Sequence, residues 1–165
     1  MKPLRELVNS DRDALLQVYR EAVQSCPDEL YSIEQRLAWA AQAGSDAGGV
    51  NEALKVSLQR GRGLISSDSD GRIAAFILRE PADRLALLYC RPQYQRQGHA
   101  SQLLQAMEAD ARRDGIHQLR TEASFVSCPL LERHGWRRSW QEELLINGVL
   151  FRRFRLHKPL APILD

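Results

Sequence analysis

Gln95-Arg96-Gln97-Gly98-His99-Ala100 is a polar stretch with one glycine, set between the apolar run Leu85 to Cys90 and a helical pattern. The first backbone N–H groups of a helix have no partner within it. The helix dipole adds partial positive charge at that end. A glycine there lets an anion approach the main chain closely. The chemistry so implied is the binding of a phosphate or pyrophosphate. Gln95, Arg96 and His99 carry side chains suited to further contacts.

Two common phosphate motifs do not fit. A P-loop needs GxxxxGK[ST], and this segment has neither the lysine nor the spacing. A dinucleotide fold needs GxGxxG after the first strand of a βαβ unit. The G-x-G at Gly61-Arg62-Gly63 precedes a strand pattern rather than a helix.

The elements that position the stretch follow from periodicity and turn chemistry. Lys2 to Val8 reads as a first strand. Ser10 is the expected N-cap of a helix whose apolar face is Ala14, Leu15, Val18, Tyr19, Ala22 and Val23. A second helix is expected from Ser32 to Ala43, with Ile33, Leu37, Ala38 and Ala41 on its inner face. Residues Gly44 to Gly49 read as loop by composition, and Asn51 to Gln59 as a short helix. Gly63–Ser67 and Arg72–Leu78 form a hairpin candidate around Asp68-Ser69-Asp70-Gly71. Leu85–Cys90 is a third strand of the run. A helix from Gly98 to Arg113 buries Leu103, Leu104, Ala106, Met107 and Ala111, and Gly115 ends it. Ile116–Ala123 is a strand, and Cys128-Pro129 opens a short helix that stops at Gly135. Asn147-Gly148 between apolar runs predicts a closing hairpin. The order predicts a single α/β (α+β) domain over residues 1–165, with one mixed, mostly antiparallel central sheet flanked by helices.

Composition narrows the function classes. Of 165 residues 44% are hydrophobic and 27% charged, which fits a globular domain. Lys and Arg number 23 against 21 Asp and Glu, a net charge of +2, too mild for a phosphate-tracking surface. Phe151-Arg152-Arg153-Phe154-Arg155 is the most basic stretch and reads as a solvated strand face, so no nucleic-acid partner is expected. Cys26, Cys90 and Cys128 show no CxxC spacing, so neither a metal site nor a disulfide framework is expected. Free thiols fit a reducing, cytoplasmic setting. The N-terminal residues lack the apolar core of a signal peptide, and no apolar run approaches the roughly 20 residues of a membrane span.

The pattern Q/R-x-x-G-x-G/A at Gln95 to Ala100, after Leu88-Tyr89-Cys90-Arg91-Pro92-Gln93-Tyr94, resembles the GNAT superfamily of acyl-CoA N-acyltransferases. The likeness extends over nearly the whole chain. Tyr31 to Trp39 resembles the second-helix region of a bacterial subgroup. Leu130-Leu131-Glu132-Arg133-His134-Gly135-Trp136 resembles the family's F-Y-E-x-x-G-F segment, and Gly148 to Leu160 its last strand. The resemblance implies acetyl-CoA as acyl donor and an amine as acceptor. It implies that the main chain of Leu88, Tyr89 and Cys90 pairs with the pantetheine arm. The loop Arg96, Gln97, Gly98, His99, Ala100 and Ser101 would hold the pyrophosphate through N–H groups, with Gln95 adding a side chain. Arg91 or Arg96 would meet the adenosine 3′-phosphate. Ser124 to Arg133 would flank the other side of the arm.

Acyl transfer to an amine needs a neutral nucleophile, donors for the oxyanion and a proton for the leaving thiolate. The family's tyrosine falls on Leu131, which cannot donate a proton. Cys128, Tyr94 and Tyr89 are the substitutes by chain proximity, although a helix start lowers the pKa of Cys128 and disfavours it as a donor. Glu80 and Glu122 are the candidate bases. Tyr31 and Trp39 are read as packing residues rather than substrate contacts. The reading is an N-acetyltransferase, monomer or homodimer; the alternative is a non-catalytic acyl-CoA-binding module.

Overall fold

The computed structural model describes residues 2–45 and 48–164. The strands are β1 (Arg5–Glu6), β2 (Ala43–Ser45), β3 (Gly48–Val50), β4 (Arg62–Ser67), β5 (Ile73–Arg79), β6 (Arg84–Cys90), β7 (Gln118–Ala123), β8 (Arg137–Ile146) and β9 (Val149–Pro159). The helices are α1 (Arg12–Gln24), α2 (Ile33–Ala40), α3 (Glu52–Arg60), α4 (His99–Arg113) and α5 (Cys128–Arg133). Seven strands form one sheet in the order β1-β4-β5-β6-β7-β9-β8, and β2 and β3 pair separately. Within the seven-stranded sheet only β6 and β7 run parallel. This is the mixed, mostly antiparallel sheet expected.

Both faces of the centre are covered. Ala75 and Ile77 turn toward α4, where Leu103, Leu104 and Met107 meet Leu119, Leu131 and Leu156. Phe76 and Leu78 turn the other way, toward Leu15, Val18 and Tyr19 of α1 and Leu58 of α3. A strand buried on both faces carries no polar alternation, which is why β5 reads as a continuous apolar run. The inner face of α4 also carries charge. Glu108 accepts from the Trp136 indole at 2.9 Å and from Lys158 at 2.8 Å, and Asp110 pairs with the buried Arg79 at 3.0 Å. The two glycines of Gly61-Arg62-Gly63 are packing glycines. A Cβ at Gly61 would lie 2.6 Å from the Ser57 carbonyl oxygen, and one at Gly63 2.7 Å from Leu7 Cδ1.

Four expectations change. The first strand is two residues long, because Asp11 accepts two of the Arg5 guanidinium bonds and the Val8 N–H and pulls the chain into a 3-10 turn. Ser10 therefore does not cap α1; it lies inside that turn. Ile33 and Leu37 of α2 point outward, 68% and 61% exposed. Trp39 sets the rotation of this eight-residue helix by joining the aromatic cluster of Tyr31 and Phe151. The expected loop at Gly44–Gly49 contains strand pairs Ala43↔Val50 and Ser45↔Gly48, while residues 46 and 47 lie outside the described residues. The closing hairpin forms as expected, with Asn147 and Gly148 both at positive φ (48° and 81°), the signature of a type I′ turn.

Candidate active site

β6 and β7 separate after two residue pairs. Arg84 faces Arg120 and Leu85 faces Thr121, and no further pair follows. The Thr121 hydroxyl donates to the Leu85 carbonyl at 2.7 Å and closes the last rung. Beyond it β6 stays bonded to β5 as far as Ala75↔Cys90, and β7 to β9 as far as Ala123↔Phe154. The edge of β6 from Ala86 to Cys90 that faces the gap has no strand partner among the described residues. The splay opens two cavities, of about 280 Å³ and 330 Å³. Trp39, Leu88, Tyr89, Ser124 and Ser127 line both, so the cavities meet at that point.

The smaller cavity is lined by Leu88, Tyr89, Cys90, Gln95, Arg96, Gly98, His99, Ala100, Ser101, Ser124 and Arg133. Gly98 caps α4 at φ +90°, and Arg96 also adopts a positive φ of 62°. A left-handed residue beside a helix start turns consecutive amides toward one point. Among the described residues, the amides from Arg96 to Ser101 donate to no protein acceptor; the first bond of the helix runs from Gln102 N to the Gly98 carbonyl. Six donors are left open, three on the exposed turn Arg96–Gly98 and three in the first turn of α4.

The side chains of this loop are arranged differently from the amides. Arg91 is engaged by Glu21 at 2.6 Å and by the Ile73 carbonyl at 2.8 Å, whereas Arg96 forms no ion pair among the described residues. The Gln97 amide bends back to donate to the Gln93 carbonyl at 3.1 Å. His99, expected at the solvent or phosphate edge, is buried instead. Its Nδ1 is hydrogen-bonded to Ser66 Oγ at 2.6 Å, and its ring meets the Tyr94 ring edge-on. Position one of an amphipathic helix can face the core, and a β-strand serine supplies the partner a buried imidazole requires. Ser101 Oγ is 3.1 Å from His134 Nε2.

The larger cavity has an aromatic and aliphatic wall made by Tyr31, Trp39, Leu144 and Phe151, and a charged end made by Arg84, Glu122, Arg152 and Arg153. Glu122 accepts from Arg84 Nε at 2.9 Å and pairs with Arg155 at 3.3 Å. Arg155 in turn donates to Glu142, whose other oxygen takes Arg153 Nε. Tyr31 is buried, and its hydroxyl oxygen accepts the Phe125 N–H at 2.9 Å. Burial raises its pKa above the usual phenol value, with the Phe125 bond opposing. Its O–H therefore stays protonated at neutral pH.

The catalytic candidates from sequence separate here. Glu122 lines the larger cavity, while Glu80 and Cys128 line neither. Glu80 accepts at 3.3 Å from Ser57, which itself lines the larger cavity. Cys128 is packed in the core under α4 and donates to Glu132 at 3.2 Å. Burial and that carboxylate push its thiol up to about 11. The helix-start effect expected for Cys128 is overridden, because α5 has only six residues and the thiol points inward. Tyr89 sits among Tyr19, Trp39 and Phe76, and burial pushes its hydroxyl well up. Tyr94 donates to Asp68 at 2.6 Å. Leu131 is a buried wall residue of the larger cavity. Glu122 is a candidate base from sequence and Ser127 falls within the expected flank; the Tyr31 hydroxyl and the Arg84 and Arg155 partners of Glu122 are the features with no local signal, and long-range packing brings them there.

A split sheet with a donor-rich helix start on one side and a second cavity on the other has room for one long phosphorylated molecule and a second substrate. The Acetyltransferase (GNAT) domain family matches residues 41–158. The chain belongs to the GNAT acetyltransferase family. Among solved structures it is similar to a GCN5-related N-acetyltransferase from Rhodopseudomonas palustris, with TM-score 0.86 and 23% identity over 96% of this chain and 95% of that one. The PaiA N-acetyltransferase of Thermoplasma acidophilum, in complex with coenzyme A, has TM-score 0.69 and 20% identity over 96% and 99%. The acetyltransferase YncA of Salmonella typhimurium, with acetyl-CoA, has TM-score 0.64 and 19% identity over 99% and 96%. At these identities the likeness is one of fold. No curated protein matches the chain by sequence. No described helix is long and apolar enough to cross a membrane.

Proposed function

We propose that the chain moves an acetyl group from acetyl-CoA to a primary amine by direct attack, with both substrates bound across the β6–β7 split. The observation that carries this reading is the meeting of the two cavities at Leu88 and Tyr89, beside a strand edge with no partner. The residues present fit the cosubstrate. The open edge of Leu88, Tyr89 and Cys90 suits the two amides of a pantetheine arm. The free amides of Arg96 to Ser101 suit a pyrophosphate. Arg96 rather than Arg91 suits the 3′-phosphate, since Arg91 is already paired. Gln95 adds a side chain at the rim, His99 and Ala100 contribute main chain, and Ser124 and Arg133 close the other side.

Bound acetyl-CoA supplies an activated thioester carbonyl. Glu122 takes a proton from the entering ammonium, directly or through a water, which leaves the amine lone pair free for attack. The amine nitrogen bonds to the carbonyl carbon, the carbon–sulfur bond breaks, Tyr31 gives its proton to the leaving sulfur, and the second proton shed by the nitrogen restores the tyrosine. Its oxygen already accepts from Phe125, so its own hydrogen is free to be donated. Leu131 makes such a substitute necessary if a side-chain acid is used at all. The same leucine favours the second reading, a module that binds acyl-CoA without turnover.

Calorimetric titration with acetyl-CoA, paired with a thiol-release assay on a panel of amines, tests both. The transferase reading expects saturable binding and CoA release. Absence of binding at millimolar acetyl-CoA would sink it. Binding without release for every amine would leave the binding module.

A further inference from the structure

We infer that the acceptor is a small amino-acid-like zwitterion with an apolar or aromatic side chain, its carboxylate held by Arg153 and its ammonium by Glu122. The inference rests on the transferase reading and names the substrate class of that site. The lining of the charged end carries Arg84, Arg152 and Arg153 with one carboxylate, Glu122, while Glu143 and Glu142 pair with Arg152 and Arg153 from outside the lining. A plain alkylammonium would leave the open guanidinium nitrogens of Arg153 without an acceptor. An amine that brings its own negative charge would not.

The arginines are not equivalent. Arg84 is held by Glu122 and by the Glu80 carbonyl, and Arg155 by Glu142 and Glu122. Arg152 faces Glu143 at 3.3 Å and is largely exposed. Arg153 is only 30% exposed, and it pairs with Glu142 through Nε alone. Its two terminal nitrogens meet no protein acceptor among the described residues, yet the residue lines the cavity. A guanidinium with both terminal nitrogens open has the geometry that takes a carboxylate. Glu142 orients it from behind. Phe151 lies two residues before Arg153 on the same strand face, so the strand that offers the cation also offers the aromatic wall beside it.

The test titrates phenylalanine and leucine, their amides, and the corresponding decarboxylated amines into CoA-saturated protein, and measures thiol release with acetyl-CoA for the same set. The amino acids are expected to bind and react at least about tenfold better than their amides. In Arg153→Gln the acid and amide are expected to become equivalent, while acetyl-CoA affinity stays at the wild-type level. Amides or amines that serve as well as the acids overturn the inference. So does an acid preference that survives Arg153→Gln, or a panel with no binder at all. Should Arg153→Gln fail to fold, the acid-to-amide ratio of the wild type decides alone. Acetyl-CoA titration keeps the two readings apart: a silent acceptor panel with intact acetyl-CoA binding sinks only this one.

Discussion

The two sides of the β6–β7 split are built from different material. On the side of the smaller cavity the open groups are main-chain amides and a strand edge, supplied by one continuous stretch from Leu88 to Ser101. Its conspicuous side chains are turned elsewhere: Gln97 to the main chain, Arg91 to Glu21, His99 to Ser66. On the side of the larger cavity the open groups are side chains, drawn from α2, α3, β6, β7, β8 and β9. A site made of backbone tolerates sequence change as long as the chain path holds. A site made of side chains changes its preference with single substitutions. One fold can thus keep one cosubstrate while its acceptor varies.

The largest expected effect therefore lies on the side-chain flank. Tyr31→Phe keeps the ring that stacks on Phe125 and removes only the hydroxyl. Loss of a proton donor is expected to lower kcat by about 10²–10⁴-fold. It also strips the Phe125 N–H of its acceptor, at a cost to stability of about 1–3 kcal/mol. The two consequences are separable. A donor role predicts that the alkaline limb of the pH–rate profile disappears and that acetyl-CoA affinity is kept. A kcat within about threefold of wild type removes Tyr31 from the reaction.

Main chain is also what made one flank readable from sequence. Gly98 before a helical pattern and after an apolar strand specifies a positive-φ entry and open amides, and both are local properties. The same holds for Asn147-Gly148 and for the strands of the central sheet. The other flank is not local. Nothing in the neighbourhood of Tyr31 marks its hydroxyl as a partner of Phe125, 94 residues away. The pairing of Glu122 with Arg84 and Arg155 requires β7 to lie between β6 and β9. Cys128 looks plausible by chain proximity, and Glu80 because it ends the strand next to the cofactor strand. The Cys128 thiol is turned into the core under α4, and the Glu80 carboxylate is held behind Ser57 rather than in the cavity lining. Ile33 and Leu37 misled for a related reason, since an eight-residue helix offers too few turns for its own periodicity to outweigh one tryptophan.

A middle-sized effect tests whether the smaller cavity is as indifferent to side chains as it looks. Gly98→Val forces a β-branched residue into φ +90°, where an ordinary L-residue already costs roughly 1–2 kcal/mol. If the loop escapes that strain by changing its path, acetyl-CoA affinity should fall by about tenfold or more, as 1.4 kcal/mol is a factor of ten. Gln95→Ala and Gln97→Ala should each change it by less than about threefold. Titration of the three variants with acetyl-CoA reads the contrast directly. A glutamine variant that costs as much as Gly98→Val would mean that side chains, not amides, hold the phosphates.

The smallest expected effect concerns a buried side chain of the backbone-built flank. His99 starts α4 with its imidazole against Ser66, and desolvation lowers its pKa, with the Asp68 charge opposing. The unfolded state thus binds a proton more readily than the folded one. The stability from a neutral His99 is present above the unfolded value of about 6.5 and is lost as pH falls below it. Asp11, Asp68, Asp114, Glu132 and Glu142 are all shifted downward, so their contributions are lost only at more acid pH. Thermal melts at pH 7.5 and 5.5 separate the two groups. The wild type is expected to lose more Tm across this interval than His99→Asn, whose amide keeps a bond to Ser66 but does not titrate. Equal losses would show that Ser66 accommodates a charged imidazole, and that the start of α4 is less tightly anchored to the core than its hydrogen bond implies.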